Sequence, residues 1–208
     1  MARRSEHTQE QIREMVLTAA ENIVIDEGFN ALTVRKVAME IGYTVGSIYM
    51  VFTNMDDLIM HVKGRALDVI DEQLRNAEVG ETVEEHIQHL ADIYLAFAHK
   101  NFNRWRMIFE AINDAPAPEW YQQKINDVFG VVEDLFLQLL PDHSVEQAHL
   151  AARALWSGVH GVCVLSLNGS LGRVGAENAE TTVKLLVQSF IFGLLRTKYP
   201  ADAVQPKM

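Results

Sequence analysis

Apolar residues in the first quarter of the chain recur at helical spacing and stop at glycines. Ile12, Met15, Val16, Ala19, Ala20, Ile23 and Val24 form one unbroken face of period 3.6. Thr8 with Gln11 three residues on has the form of a capping box, and Gly28 ends the run. A shorter pattern follows: Val34, Val37, Ala38 and Ile41 sit at i, i+3, i+4 and i+7 behind Thr33, and Gly42 terminates them because glycine takes a left-handed conformation without a Cβ penalty. A second short helix begins at once. Val45, Ile48 and Phe52 repeat the spacing behind Thr44, which turns Thr44, Gly46, Ser47, Tyr49 and Met50 outward. Small Ala38 lets the two helices cross closely.

Two short helices joined by a glycine turn predict a helix-turn-helix, and the outward set suits a DNA groove. Hydroxyls and the N–H groups of a helix N-terminus bond phosphates, while Gly46 keeps no side chain between backbone and ligand. The major groove admits one α-helix, and a helix placed after a tight turn is a common way to present it.

From Asn54 onward the chain reads as helices separated by short breaks, with no alternating strand pattern of useful length. A long connecting helix is expected over residues 54–77, then helices opening at Thr82 with a capping box, over 101–112, 119–140, 144–168 and 176–199. The expected fold class is all-α: an N-terminal three-helix helix-turn-helix domain followed by a larger helical domain. The corresponding division is 1–7 as a flexible basic arm, 8–68 as the DNA-binding domain and 69–208 as the larger one.

Leu32 to Ile59 resembles the DNA-binding domain of TetR-type transcriptional regulators. In that family a turn glycine, an aliphatic-Tyr pair and a downstream aromatic lead into a long helix, and here these are Gly42, Ile48-Tyr49, Phe52 and Leu58-Ile59. The resemblance implies double-stranded operator DNA, a homodimer and a small-molecule inducer as partners, with repression as the sign of regulation. Two positions depart from the family pattern. Met55 stands where a phosphate-contacting lysine is frequent, and Val45 where a polar or basic side chain is common, so Val45 could read only an apolar feature such as a thymine methyl. Arg35 matches a position that reaches the operator in some members. The DNA-binding set is then Arg3, Arg4, Thr33, Arg35, Lys36, Thr44, Val45, Gly46, Ser47, Tyr49 and Met50.

The formal charge of −10 changes less than it first suggests. Residues 1–65 hold seven Lys or Arg against nine Asp or Glu, so most of the acidity lies in the rest of the chain. Arg3, Arg4, Arg35 and Lys36 can still gather on one surface, with Arg3 and Arg4 as an arm able to enter a minor groove. One cysteine among 208 residues excludes an internal disulfide framework. The N-terminus lacks the pattern of a signal peptide, and no apolar run is read as approaching the ~18 residues a spanning helix requires, so no membrane partner and a cytoplasmic location are expected.

Ala154 to Val162 resembles the Trp-x-x-x-His-Gly signature of one group of TetR-type C-terminal domains, with Trp156 and His160 one turn apart. Aromatic residues crowd the same half of the chain. Regulators of this type place the inducer among central helices, and apolar walls with a few polar groups are what such a site needs. Phe102, Trp105, Arg106, Phe109, Trp120, Trp156 and His160 are the candidate ligand-binding set, with Asn113 as a further polar member. Gly158 and Gly161 weaken their helix and call for close packing against another one. Dimerisation is expected through Ala148, Ala152, Leu155 and Val159 on one late helix and Leu185, Leu186, Ser189, Phe190, Gly193 and Leu194 on the other.

Other classes leave weaker traces. Cys163 three residues after His160 could be a nucleophile with its base, yet no orienting third group or oxyanion loop stands nearby. His86 and His89 beside Glu85 are a sparse metal pattern. No catalytic residue, metal or cofactor is therefore expected, and a helical adaptor that does not touch DNA is the remaining alternative.

Overall fold

A computed structural model describes residues 7–110, 116–176 and 178–196. Every regular element among them is helical: α1 (Gln9–Glu27), α2 (Val34–Glu40), α3 (Val45–Tyr49), α4 (Met55–Arg75), α5 (Val83–Lys100), α6 (Phe102–Phe109), α7 (Glu119–Leu139), α8 (Val145–Leu167) and α9 (Ala179–Arg196), with single 3-10 turns at Phe29–Ala31 and Gly172–Val174. The chain divides into two compact units. One comprises the described residues of Met1–Val69 and Asn101–Lys124, the other those of Ile70–Lys100 and Ile125–Met208. The described residues of 101–124, which the helical pattern alone assigns to the larger domain, thus pack with the first unit.

Helix starts follow their caps. Thr8 and Gln11 close a reciprocal capping box at α1, and Ser144 and Gln147 do the same at α8. Asn54 Oδ1 accepts from Asp57 N at 2.9 Å while Asp57 Oδ2 accepts from Thr53 N at 2.8 Å. Asp57, three residues past Asn54, is therefore part of the start of α4. The expected helix over 176–199 begins at Ala179; its end past Arg196, like Asn113 and the arm residues Arg3 and Arg4, lies outside the described residues.

In the first unit, α1 buries Ile12, Val16, Leu17, Ala19, Ala20, Ile23 and Val24 against α2, α3 and the start of α4. Each apolar side chain removed from water contributes on the order of 1.5–3 kcal/mol, so this stripe is the main source of the unit's stability. Met107 of α6 joins the same core. Next to it Lys63, only 4% exposed, donates from Nζ to the backbone oxygens of Ile108, at 3.4 Å, and Glu110. A lysine of α4 thus satisfies carbonyls that the end of α6 leaves open.

In the second unit, α8 packs against both α9 and α5. Gly158 lies so near Leu186 of α9 that a Cβ on the glycine would stand 2.9 Å from Leu186 Cδ2, whereas nothing lies within 4 Å of a Cβ at Gly161. Only the first of the two glycines answers to close packing within the chain. Ala148, Ala152, Leu155 and Val159 are buried in the subunit's own core, and Phe190 packs its ring edge-on to Phe136 at 6.4 Å. The expected dimer face is corrected accordingly on α8. Val145, Leu150 and Leu165 of α8, with Leu185, Phe192 and Leu195 of α9, are the large apolar side chains these two helices leave exposed.

α8 also corrects the reading of hydropathy. Ser157, His160 and Ser166 interrupt its apolar run, yet by length and mean hydropathy it is the one described helix that could cross a membrane. About a third of that stretch, 33%, is buried inside the fold, where the helix packs against α5 and α9.

Candidate functional site

The outward face predicted for the second short helix is present. Thr33 Oγ1 accepts from Lys36 N at 3.2 Å to start α2, and Val37 and Ala38 are buried. Gly42 has φ +70°, and Tyr43 N then bonds back to Ala38 O at 3.0 Å, which closes the turn. Thr44 starts α3: its Oγ1 accepts from Ser47 N at 3.2 Å and lies 3.0 Å from Ser47 Oγ. Ile48 is fully buried and Phe52 nearly so, with Val45 half-buried beside them. On the other side Tyr49 is 45% exposed and Met50 68% exposed, next to exposed Thr44 and Gly46. One face of α3 is thus fixed by the core and the opposite face is offered to solvent.

Thr33 and Arg35 are exposed on α2. A hydroxyl oxygen that accepts at a cap still has a proton to donate, so Thr33 and Thr44 keep that capacity toward a phosphate. Lys36 is tied to Glu27 in an ion pair at the end of α1. Reaching DNA would require Lys36 to exchange that carboxylate for a phosphate. Met39, 75% exposed near the end of α2, extends the apolar component of this surface beyond the predicted set.

Sequence reasoning missed what stands behind α3. Arg13 of α1 donates from Nη1 to Val51 O at 2.8 Å, places its guanidinium 4.4 Å from the centre of the Phe52 ring, and lies with Nη2 2.8 Å from His61 Nε2. A guanidinium only donates, so Nε2 accepts and the ring is neutral with its proton on Nδ1. Burial foremost, then the Arg13 charge, hold the His61 pKa below its ordinary value. Trp120, at the start of α7, stacks on the imidazole with centroids 4.5 Å apart and planes 7° from parallel. Gly64, one turn along α4 from His61, makes room for the indole: a Cβ there would lie 2.9 Å from Trp120 Cζ3. The polar position of Arg13 on a solvent-facing stripe gave no sign of these contacts, since its targets lie 38 and 48 residues away.

The candidate ligand-binding residues fall into separate groups. In the first unit Trp105 is 4% exposed and meets Phe109 edge-on at 5.3 Å; Phe102 is half-buried; Arg106 is turned outward and pairs with Glu110 at 3.1 Å; Trp120 covers His61. In the second unit Trp156 and His160 stack at 5.1 Å, Phe129 meets the indole edge-on at 5.1 Å, and Tyr94 Oη lies 2.9 Å from His160 Nδ1. Burial lowers the His160 pKa, which leaves a neutral ring able to donate or accept. The second unit also holds a cleft of about 1040 Å³ between α5, α8 and α9, lined by Asp92, His99, Ser166, Asn178 and Lys184 among others. No residue of the candidate ligand set borders it.

Burial pushes the Cys163 thiol up to about 12, so the thiolate that a nucleophile needs is not formed near neutrality. Among the described residues no group of three or more His, Cys, Asp or Glu side chains could hold a metal ion.

Comparison with known proteins agrees with this arrangement. Residues 16–62 match the family described as bacterial regulatory proteins, tetR family, and residues 87–190, half of the chain, match the tetracyclin repressor-like C-terminal domain. The uncharacterized HTH-type transcriptional regulator Rv0681 of Mycobacterium tuberculosis is 25% identical over 173 residues, covering 83% of this chain and 78% of its own. Among solved structures, a protein of unknown function from Rhodococcus sp. RHA1 superposes with a TM-score of 0.73 at 17% identity, over 92% of this chain and 98% of its own. A TetR transcriptional regulator from the same organism gives 0.62 at 16% identity, over 90% and 100%. These structures share the fold, and the two family matches with the curated relative extend the likeness to sequence. The chain belongs to the TetR family of DNA-binding transcriptional regulators, which are not enzymes.

Proposed function

We propose that the protein is a cytoplasmic homodimeric repressor that occupies an inverted-repeat operator and leaves it when a small apolar molecule binds. The observation that carries the reading is the two-sided α3: Ile48 anchors one face in the core while Tyr49 and Met50 stand exposed on the other, behind the Thr44 cap. On this reading residues 8–68 form the DNA-binding domain, Thr33, Thr44, Ser47 and Tyr49 position phosphates, and Arg35, Val45 and Met50 read base edges. Arg3, Arg4 and Lys36 add charge, and Gly46 lets the backbone approach.

Two recognition helices related by a twofold axis meet half-sites one or more helical turns apart, hence the inverted repeat. The exposed Val145, Leu150, Leu165, Leu185, Phe192 and Leu195 support α8 and α9 as the self-association face, since pairing these helices with a second copy would take apolar side chains out of water. For the inducer, the Trp156–His160–Tyr94–Phe129 cluster supplies apolar walls and a neutral polar ring, in keeping with the resemblance to the Trp-x-x-x-His-Gly group. Phe102, Trp105, Arg106, Phe109 and Trp120 remain the candidates on the other unit.

Selection of duplexes from fragments of the source genome tests the reading. Recovery of a discrete palindromic site, with reporter expression rising when the gene for this protein is deleted, is the expected result. Retention of fragments without any shared site would refute it, and falling reporter expression would reverse the sign to activation.

A further inference from the structure

The turn that follows α3 is held from behind by a side chain of α1, through one hydrogen bond and a ring contact, while Asp57 Oδ2 accepts from Thr53 N at its far end. Arg13 binds Val51 O, leans on Phe52 and donates to His61, and His61 is roofed by Trp120 in the notch over Gly64. Val51 and Phe52 come directly after the exposed Tyr49 and Met50, so their placement sets the angle at which that face leaves the core. We propose that Arg13 is the positioning residue of the DNA-binding surface and that the neutral His61 ring beneath Trp120 keeps it in place.

The device has a second arrangement built into it. Asp57 Oδ1 lies 3.4 Å from the same His61 Nε2 that accepts from Arg13. Once Nε2 carries a proton it can only donate, and Asp57 is its acceptor; Arg13 then faces an N–H and a like charge. Every charged group around the ring takes a side in this exchange: Arg13 from α1, Arg65 from α4 and Lys124 from α7 oppose protonation, and Asp57 favours it. The inference rests on α3 being offered to DNA for its functional consequence, but the contacts themselves can be tested without DNA.

The experiment is hydrogen exchange on the free full-length chain, expressed as protection factors between pH 7.5 and pH 5.5, comparing amides of residues 47–52 with those of α8. In the wild type, acidification should lower protection at 47–52 by about tenfold, the scale of one charge-assisted hydrogen bond, with little change in α8. H61Q keeps an uncharged acceptor for Arg13 and should make that segment insensitive to pH. R13K replaces the planar fork, whose Nη1 and Nη2 reach Val51 O and His61 Nε2 separately and whose face lies on Phe52, by a single nitrogen, and should lower protection at both pH values. Trp120→Ala opens the ring to water, which relieves the burial that disfavours its charge, and should move the midpoint to higher pH. H61Q titrating like the wild type, or R13K loosening α8 as much as residues 47–52, would overturn the proposal. DNA affinity of the same variants is read separately on duplexes retained from the genomic selection. Loss of local protection without loss of affinity would count against α3 as the DNA-facing element and leave the relay standing.

Discussion

Gly158 and Leu186 meet where α8 crosses α9, with space for a hydrogen on the glycine and not for a methyl group. The obstructing atom is the end of a leucine side chain, which can rotate away at some cost. Gly158→Ala therefore sets overpacking, typically 1–3 kcal/mol, against a gain of about 1 kcal/mol from better helix propensity. Gly130 in α7 has nothing within 4 Å of a Cβ, so there the propensity gain stands alone. Thermal denaturation should rank Gly130→Ala above the wild type and Gly158→Ala at or below it. Equal gains at both positions would show that α8 and α9 are less closely opposed than described.

Self-association is expected to fail when charge is placed on the exposed apolar face. Leu185, 66% exposed, makes no demand on the subunit's own core, so Leu185→Asp should give monomers in sedimentation velocity with helical content intact, because an unpaired charge buried in an interface is strongly destabilising. Phe190→Asp, by contrast, should also destabilise the subunit through its contact with Phe136. A dimer that persists in Leu185→Asp would move the interface to another face.

On DNA, Tyr49→Ala should weaken binding to every operator variant alike, as a residue that positions the backbone does. Arg35→Ala should relax preference at one position in each half-site by roughly 1–3 kcal/mol. Binding measured across a set of single-base operator variants separates the two behaviours. Uniform loss in Arg35→Ala would assign that residue to the phosphates.

Stability should fall as the solution is made acidic. Burial holds His160 and His61 below their ordinary pKa of 6.5 in the folded chain. The unfolded chain therefore binds more protons once the pH drops beneath that value, and stability rises with pH across the window down to the folded pKa values. His160→Phe should flatten part of this slope in urea titrations at pH 5 to 7.5. A slope unchanged in the variant would mean that His160 is not titrating on unfolding.

Cys163 should be inert to a thiol reagent at pH 8 in the native protein and react at once in denaturant, given a thiol pushed up to about 12. Rapid native-state labelling would place the residue in a more open environment than the helix core.

The parts of this structure that were legible in the sequence are those set by near neighbours in the chain. Caps at Thr8, Thr33, Thr44 and Ser144 and the positive φ at Gly42 are encoded within a few residues of where they act, and they place the start of the DNA-facing helix. Contacts across long separations were not legible. α8 is apolar on more than one face, so period alone could not tell Ala148 and Val159, which fill the core, from Leu150 and Leu165, which do not. Arg13 reads as one more charge on the wet side of α1, and Lys63 as one more on α4, until the backbone oxygens they serve have been brought beside them.

Lys63 gives the first unit a chemical clock. Its amine is enclosed, its pKa lowered chiefly by loss of water, and its protons are committed to the carbonyls at the end of α6. An acylating reagent added to the purified protein should reach that nitrogen when the last turn of α6 has come away from α4. The modification rate at Lys63 then counts those openings, and the acyl group, having erased the ammonium, prevents the turn from closing again on the same bonds. A brief fluctuation would be turned into a lasting mark.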